Sequence, residues 1–221
     1  SILMIEAPQV PLEEMRQAVK WRIKDLISFN AEEAVVDVIP LPDDAFKNRA
    51  RMVYVVAAQK QAVDAAETLI NDAGMRLRYV DVAETTTNNL LRYLDLGQQG
   101  LALIYLGDEE GVINVGHDKD LYLTRRLKAR RESLTDPSVV HTDTFQHLLL
   151  ETQRSLDYYE AQLGQPHATQ LWLTPVAQEA MHLADDFGSN LGLQAEIMDL
   201  STMIAGAEGM SREMQENCVV A

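Results

Sequence analysis

The sequence predicts an α/β fold, and three patterns carry that prediction. Short runs rich in β-branched residues alternate with longer stretches whose apolar residues recur at the three-and-four spacing of one helical face. Proline, glycine and aspartate mark the boundaries between them, each favouring a turn for its own backbone reason. From residue 170 onward a strand, a helix and a second strand follow in strict alternation, the order that builds a parallel sheet.

The chain opens with Ser1-Ile-Leu-Met-Ile as a strand that ends at Pro8. A helix is expected over residues 11–28. Pro11 suits a first turn, Glu13 and Glu14 favour the positive helix end, and Leu12, Met15, Val19, Ile23, Leu26 and Ile27 form the stripe to be buried. Trp21 falls off that stripe and is available to a second surface. Residues 34–39 and 51–57 read as two strands joined through Pro40, Pro42, Asp43 and Asp44. Residues 61–72 repeat Val63, Ala66, Leu69 and Ile70 as a helix closed at Gly74, and residues 75–82 read as the strand that follows. A helix over residues 85–94 is expected to end near Gly97.

Residues 101–106, 112–115 and 120–124 predict an antiparallel meander with Gly- and Asp-rich turns. Phe145, Leu148, Leu149, Leu156, Tyr159 and Leu163 mark one long amphipathic helix, entered after Thr142 or Asp143 and left at Gly164. A strand at 170–173, a helix at 176–191 closed by Gly192, a strand at 195–200 and a last helix from about Ser211 complete the chain. The polar turn at residues 95–100 is the expected seam, dividing the chain into 1–96 and 97–221.

Composition narrows the function classes. With 34 acidic against 19 basic residues the formal charge is −15, which repels phosphate backbones and anionic lipid surfaces. Nucleic acid is therefore not an expected partner. The longest apolar runs, such as residues 52–58, fall well short of the roughly 18 residues that span a bilayer. The lone Cys218 has no intramolecular disulfide partner, which suits a reducing compartment. The abrupt opening in a strand pattern leads us to expect a start further upstream in the intact protein.

Several residues are candidates for chemistry. Tyr105-Leu-Gly-Asp-Glu-Glu-Gly111 joins two strands, and backbone amides around Gly107 and Gly111 are of the kind that point at a phosphate. Asp108, Glu109 and Glu110 repel a polyphosphate unless a divalent cation lies between, so an ordinary hairpin turn is the favoured reading. His117, Asp118 and Asp120, with His141 or Asp143, are conceivable metal ligands, although a solvated turn explains them better. Arg125, Arg126, Lys128, Arg130 and Arg131 place five cations within seven positions of an acidic chain. A solvated strand end is favoured there over a docking patch for an acidic partner segment. Arg154 is spaced to support its helix by pairing with Asp157. Serine nucleophile elbows, zinc-spaced histidine pairs and nucleotide-binding glycine fingerprints are all absent.

Two stretches carry a family resemblance. Glu6-Ala-Pro with Ala18-Val-Lys-Trp-Arg-Ile-Lys-Asp-Leu-Ile27 and Glu33-Ala-Val-Val-Asp37 resembles the second portion of PilM-like and MshI-like pilus biogenesis proteins, actin-fold relatives of FtsA. Gln153-Arg-Ser-Leu-Asp-Tyr-Tyr-Glu-Ala-Gln-Leu-Gly-Gln-Pro166 is similar to a helix of the same proteins, especially those of mannose-sensitive hemagglutinin (MSHA) pili.

The resemblance implies actin-like, ribonuclease H-like lobes lacking the first N-terminal subdomain. Residues 1–96 then hold an inserted small α/β subdomain and the end of the first lobe, and residues 97–221 the second lobe. The family's second phosphate motif aligns with Tyr105-Leu106-Gly107, keeping only the glycine, with Asp108 and Gly111 completing a degenerate turn. Its adenosine-side glycines align with Pro175 and Val176. The resemblance thus implies a scaffold without ATP turnover and without a resident cofactor, ATP with magnesium being the alternative. It further implies a cytoplasmic adaptor at the inner membrane that takes a partner's short cytoplasmic tail beside the inserted subdomain, with self-association also open. Trp21, Arg22 and Phe29 are the exposed anchors expected there, and Arg125, Arg126 and Arg130 a second contact.

Overall fold

A computed structural model describes residues 1–46, 50–94, 99–134 and 143–219. The chain separates into two compact units, Ser1–Asp81 and Val82–Ala221. Of the expected seam at 95–100, residues 95–98 lie outside the described residues, and the helix ahead of it packs on the sheet of the second unit through Glu84, Thr87 and Leu91.

In the first unit, strands β1 (Ile2–Glu6), β2 (Ala34–Pro40) and β3 (Met52–Gln59) form an antiparallel sheet in the order β1-β3-β2. Val55 of the central strand lies opposite Leu3 on one side and Val38 on the other. Alternation sends Val53, Val55 and Ala57 to one face, where they meet Met15, Val19 and Ile23 of helix α1 (Leu12–Ile23). That burial, with Ala7, Ala34 and Val36 at its rim, is the core of the unit.

The helix is shorter than the expected 11–28. After Ile23 the chain turns, with the amides of Leu26 and Ile27 both donating to the Ile23 carbonyl. The turn swings Ile27 and Phe29 onto the core and leaves Leu26, placed in the buried stripe by the sequence, 58% exposed. Phe29 is correspondingly half-buried and not the exposed anchor expected.

Helix α2 (Lys60–Asp72) follows β3 directly and packs on β2 and β3, yet none of its residues is fully buried. Its Leu69 stands in solvent. The strand expected at 75–82 does not form. Among the described residues no strand pairs with it, and residues 76–80 make no backbone hydrogen bond to any of them. Met75, Tyr79 and Val80 are exposed, Tyr79 by 87%. Strand-forming residue types were present, but the ladder that makes a strand has no neighbour to supply it.

In the second unit, β4 (Gly100–Leu106), β5 (Gly111–His117) and β6 (Asp120–Leu127) form the expected meander. Strands β7 (Ala168–Leu173) and β8 (Gln194–Ile197) extend it in parallel, giving the order β6-β5-β4-β7-β8. Helix α3 (Ala83–Leu94) packs on β4, β5 and β6. Leu91 of α3 joins Leu101, Leu103, Met198, Leu200 and Val219 in one apolar cluster. Ala102 and Ile104 alternate with these and turn to the opposite face, fully buried. Helix α4 (Asp143–Ala161) packs on β5 and β6 along the predicted stripe, burying Phe145, Leu148, Leu156 and Tyr159. Helix α5 (His182–Leu191) covers β7 and β8 and meets α4.

Helix α5 begins six residues later than expected. Pro175 and Val176 are buried outside any helix or strand, and a short 3-10 turn at Gln178–Ala180 comes between. The last strand also stops early, at Ile197. Met198 donates its amide to Leu173, and Asp199 then caps helix α6 (Leu200–Met203) through the Ser201 amide. Helix α7 (Arg212–Cys218) starts close to the expected Ser211, which caps it by accepting from the Met214 amide.

One glycine is fixed by close approach. At Gly116, where the β5–β6 register shifts, an added Cβ would lie 2.0 Å from the Asp120 carbonyl oxygen. Gly116→Ala is expected to destabilise the protein by about 1–3 kcal/mol, as overpacked sites do. Urea unfolding checks this, and a loss below about 0.5 kcal/mol, within the range of neutral surface changes, would show that the bulge relaxes freely.

Candidate functional site

The turn between β4 and β5 is the place where the fold offers a phosphate loop. Its geometry is that of a closed hairpin. The Gly107 amide donates to the Glu110 carbonyl at 3.1 Å, so this N–H is engaged inside the turn. The Gly107 carbonyl in turn accepts from the Arg131 amide at 2.8 Å. A Cβ on Gly107 would sit 2.6 Å from the Glu110 carbonyl oxygen, and one on Gly111 would sit 2.7 Å from that of Tyr105. Both glycines therefore answer to the tightness of the hairpin. Asp108 is ion-paired to the Arg131 guanidinium, which also lies 3.8 Å from Glu216.

Tyr105 stands beside this pair. Burial pushes its phenol above the ordinary tyrosine range, with Asp108 adding in the same direction and Arg131 opposing. The folded chain thus holds this proton to higher pH than the unfolded chain does, so stability falls as pH rises beyond the ordinary tyrosine value. A spectrophotometric titration of the intact protein against Tyr105→Phe should show the missing ionisation above about 10, the unperturbed tyrosine value. A midpoint at or below it would overturn this reading of the turn.

The basic run beyond the hairpin divides between strand and loop. Arg125 lies over the Tyr158 ring at 4.7 Å. Arg126 reaches Glu84 of α3 through Nε at 2.7 Å and Glu110 through Nη1 at 2.7 Å. Partial burial works against its charge, but the hydrogen bond to Glu84 and the two carboxylates outweigh it and raise its affinity for the proton. Lys128 and Arg130 are exposed, and among the described residues neither has an ion-pair partner. Arg154 pairs with Glu151 at 3.2 Å instead of Asp157, which accepts from Gln153 at 2.7 Å.

Asp118 and Lys119 both take positive φ in the two-residue turn between β5 and β6. His117 is stacked on Tyr122 and hydrogen-bonded through Nδ1 to the Tyr159 hydroxyl at 2.8 Å. Among the described residues no group of three or more His, Cys, Asp or Glu is placed to hold a metal ion. His141 lies outside the described residues. Thr174, which follows β7, donates its amide to Ile104, and Val176 is 1% exposed, so side-chain bulk and strand pairing occupy the ground where two glycines were aligned.

On the first unit Trp21 is 68% exposed and Arg22 reaches the Glu6 carbonyl at 3.2 Å. Trp21 lines a surface pocket of about 500 Å³ with Gln17, Lys20, Lys24, Asn30, Ala31 and Glu32. Sequence reasoning singled out Trp21 but missed the lysines beside it. Their spacing of four from each other, with Lys24 three residues beyond the tryptophan, was the available signal. It also missed Glu84, which sits in the first turn of a helix whose start had been placed two residues too late.

Together the five-stranded mixed sheet with its helices, and the smaller three-stranded unit, define an actin-like fold. The fold is shared over the full length of this chain with a solved PilM-PilN type IV pilus biogenesis complex, at 20% identity, TM-score 0.72 and 73% coverage of that chain. A Bacteroides thetaiotaomicron protein of actin-like ATPase fold and unknown function matches 89% of this chain and 64% of its own, at 13% identity and TM-score 0.51. No family model and no curated protein matches the sequence. Among the described residues no helix is long and apolar enough to cross a membrane.

Proposed function

We propose that this chain is an actin-like assembly protein of a type IV pilus or related secretion machine, acting by binding and without ATP turnover. The observation that carries the reading is the likeness to PilM in the PilM-PilN complex, which extends over the whole chain. The partner is then an inner-membrane assembly protein with a short cytoplasmic tail, and the protein works at the cytoplasmic face of that membrane. Residues 153–166, similar to the helix of MSHA pilus proteins, support an MSHA-type system.

The closed β4–β5 hairpin supports the absence of turnover. Its Gly107 amide and Asp108 carboxylate already have partners, so a triphosphate would have to break both contacts. An actin-like ATPase remains the competing function, favoured by the fold of the Bacteroides relative. Calorimetry separates the two. Titration with the partner's tail peptide is expected to give saturable heat and titration with magnesium-ATP none. ATP binding tighter than about 100 μM would favour the nucleotide-switched protein. Absence of tail binding would overturn the adaptor.

A further inference from the structure

Four residues of α1 follow the spacing of one helical stripe: Gln17, Lys20, Trp21 and Lys24. The stripe lies away from Met15, Val19 and Ile23, which are buried in the core. With Asn30, Ala31 and Glu32 it bounds the pocket of about 500 Å³. An indole 68% exposed leaves a large apolar surface in water, and its N–H makes no hydrogen bond to any of the described residues. Three other cations of this unit are committed: Arg16 to Asp37 at 3.0 Å, Arg51 to Asp43 at 3.5 Å and Lys60 to Asp64 at 2.8 Å. Lys20 and Lys24, on either side of the indole, have no ion-pair partner among the described residues.

We infer that this pocket binds a short acidic peptide segment of a partner protein that carries a large apolar or aromatic side chain. The inference deepens the adaptor reading by giving the chemistry of the segment it takes. Residues one helical turn apart hold their side chains about 5–6 Å apart. Carboxylates at alternate positions of an extended peptide are spaced about 6.6 Å apart, close enough for one to meet each ammonium. An adjacent apolar side chain then packs on the Trp21 face, removing from water the surface that the fold leaves bare. Glu32 on the far wall repels acid there, so it fixes which side of the pocket the acidic residues occupy. In a chain of charge −15, two unpaired lysines also steer an acidic segment to this spot.

The test uses the 221-residue protein, its Lys20→Glu/Lys24→Glu variant and Trp21→Ala, each checked for native far-UV circular dichroism. A displayed random heptapeptide library is selected on the unaltered protein, and the enriched peptides are synthesised and titrated. Enrichment of paired acidic residues beside Phe, Leu or Trp is expected. Affinity should fall at least tenfold in the double-lysine variant and about tenfold in Trp21→Ala, and should weaken with added salt. Selection of peptides without acidic residues, no selection at all, or equal affinity for natively folded variants would overturn the inference. Titrating the pilus partner's tail into the same proteins keeps the two readings apart. Tail binding that ignores all three substitutions sinks this pocket and leaves the adaptor. Acidic-peptide binding without tail binding does the reverse.

Discussion

Arg126→Ala is expected to lower the unfolding free energy of the second unit by about 3 kcal/mol, the lower part of the range for breaking a buried ion pair. The Glu84 side chain is 1% exposed, and its Oε1 is held by Arg126 at 2.7 Å. Its second oxygen has no hydrogen-bond partner among the described residues. Removing the guanidinium would therefore leave a carboxylate inside the fold with no cation and one inadequate shell of donors. The lower part of the range applies because Arg126 is 44% exposed, so water already screens part of the attraction. The exposed Glu110, also bonded to Arg126, would be released without penalty because water can take over its solvation. Glu84→Leu with Arg126→Met should recover most of the loss, since the buried charge disappears with its partner. Urea unfolding of the single and double variants decides the matter. A single-variant loss below about 1 kcal/mol, the range of exposed pairs, would mean that the pair behaves as a surface salt bridge.

Phe187→Ala should cost about 3–5 kcal/mol. Phe187 of α5 and Phe145 of α4 are both fully buried and meet edge to face, with ring centroids 5.4 Å apart. Truncation removes the apolar burial, the ring pair and the packing between the two helices at once. Combining it with Phe145→Ala should cost less than the sum, because the second truncation enlarges an existing cavity whose ring contact is already lost. Thermal or urea unfolding of the three variants checks both statements, and strict additivity would show that the rings do not share one cavity.

The sequence made the sheet of the second unit legible because its strands carry their own pattern. Ile113 and Val115 are β-branched, and the turn at Asp118 and Lys119 sits between two such runs. Helix α4 was legible for the same reason, since the stripe from Phe145 to Tyr159 needs no information from elsewhere in the chain. What sequence could not supply was the neighbour. Residues 75–82 have the composition of a strand, yet the partner that would pair them is not among the described strands. Leu200 looked like the end of a strand until Asp199 was seen to cap a helix there. The site followed the same rule. Trp21 was recognisable from its place off the buried stripe, whereas Arg126 gave no hint that its carboxylate lay 42 residues away in Glu84.

Residues 76–80, which make no backbone hydrogen bond among the described residues, link the protein's colloidal behaviour to its charge. Exposed peptide groups beside Met75, Tyr79 and Val80 form a template on which another extended chain can grow. Two copies carrying −15 each repel at a distance, and that repulsion guards the template. Its reach contracts from about 8 Å at physiological ionic strength to about 3 Å in 1 M salt. Association between copies should thus strengthen as salt is added, the opposite of an assembly held by ion pairs. Light scattering across a salt series should show the mass rising, and Val80→Pro should flatten the rise by removing a donor from the template.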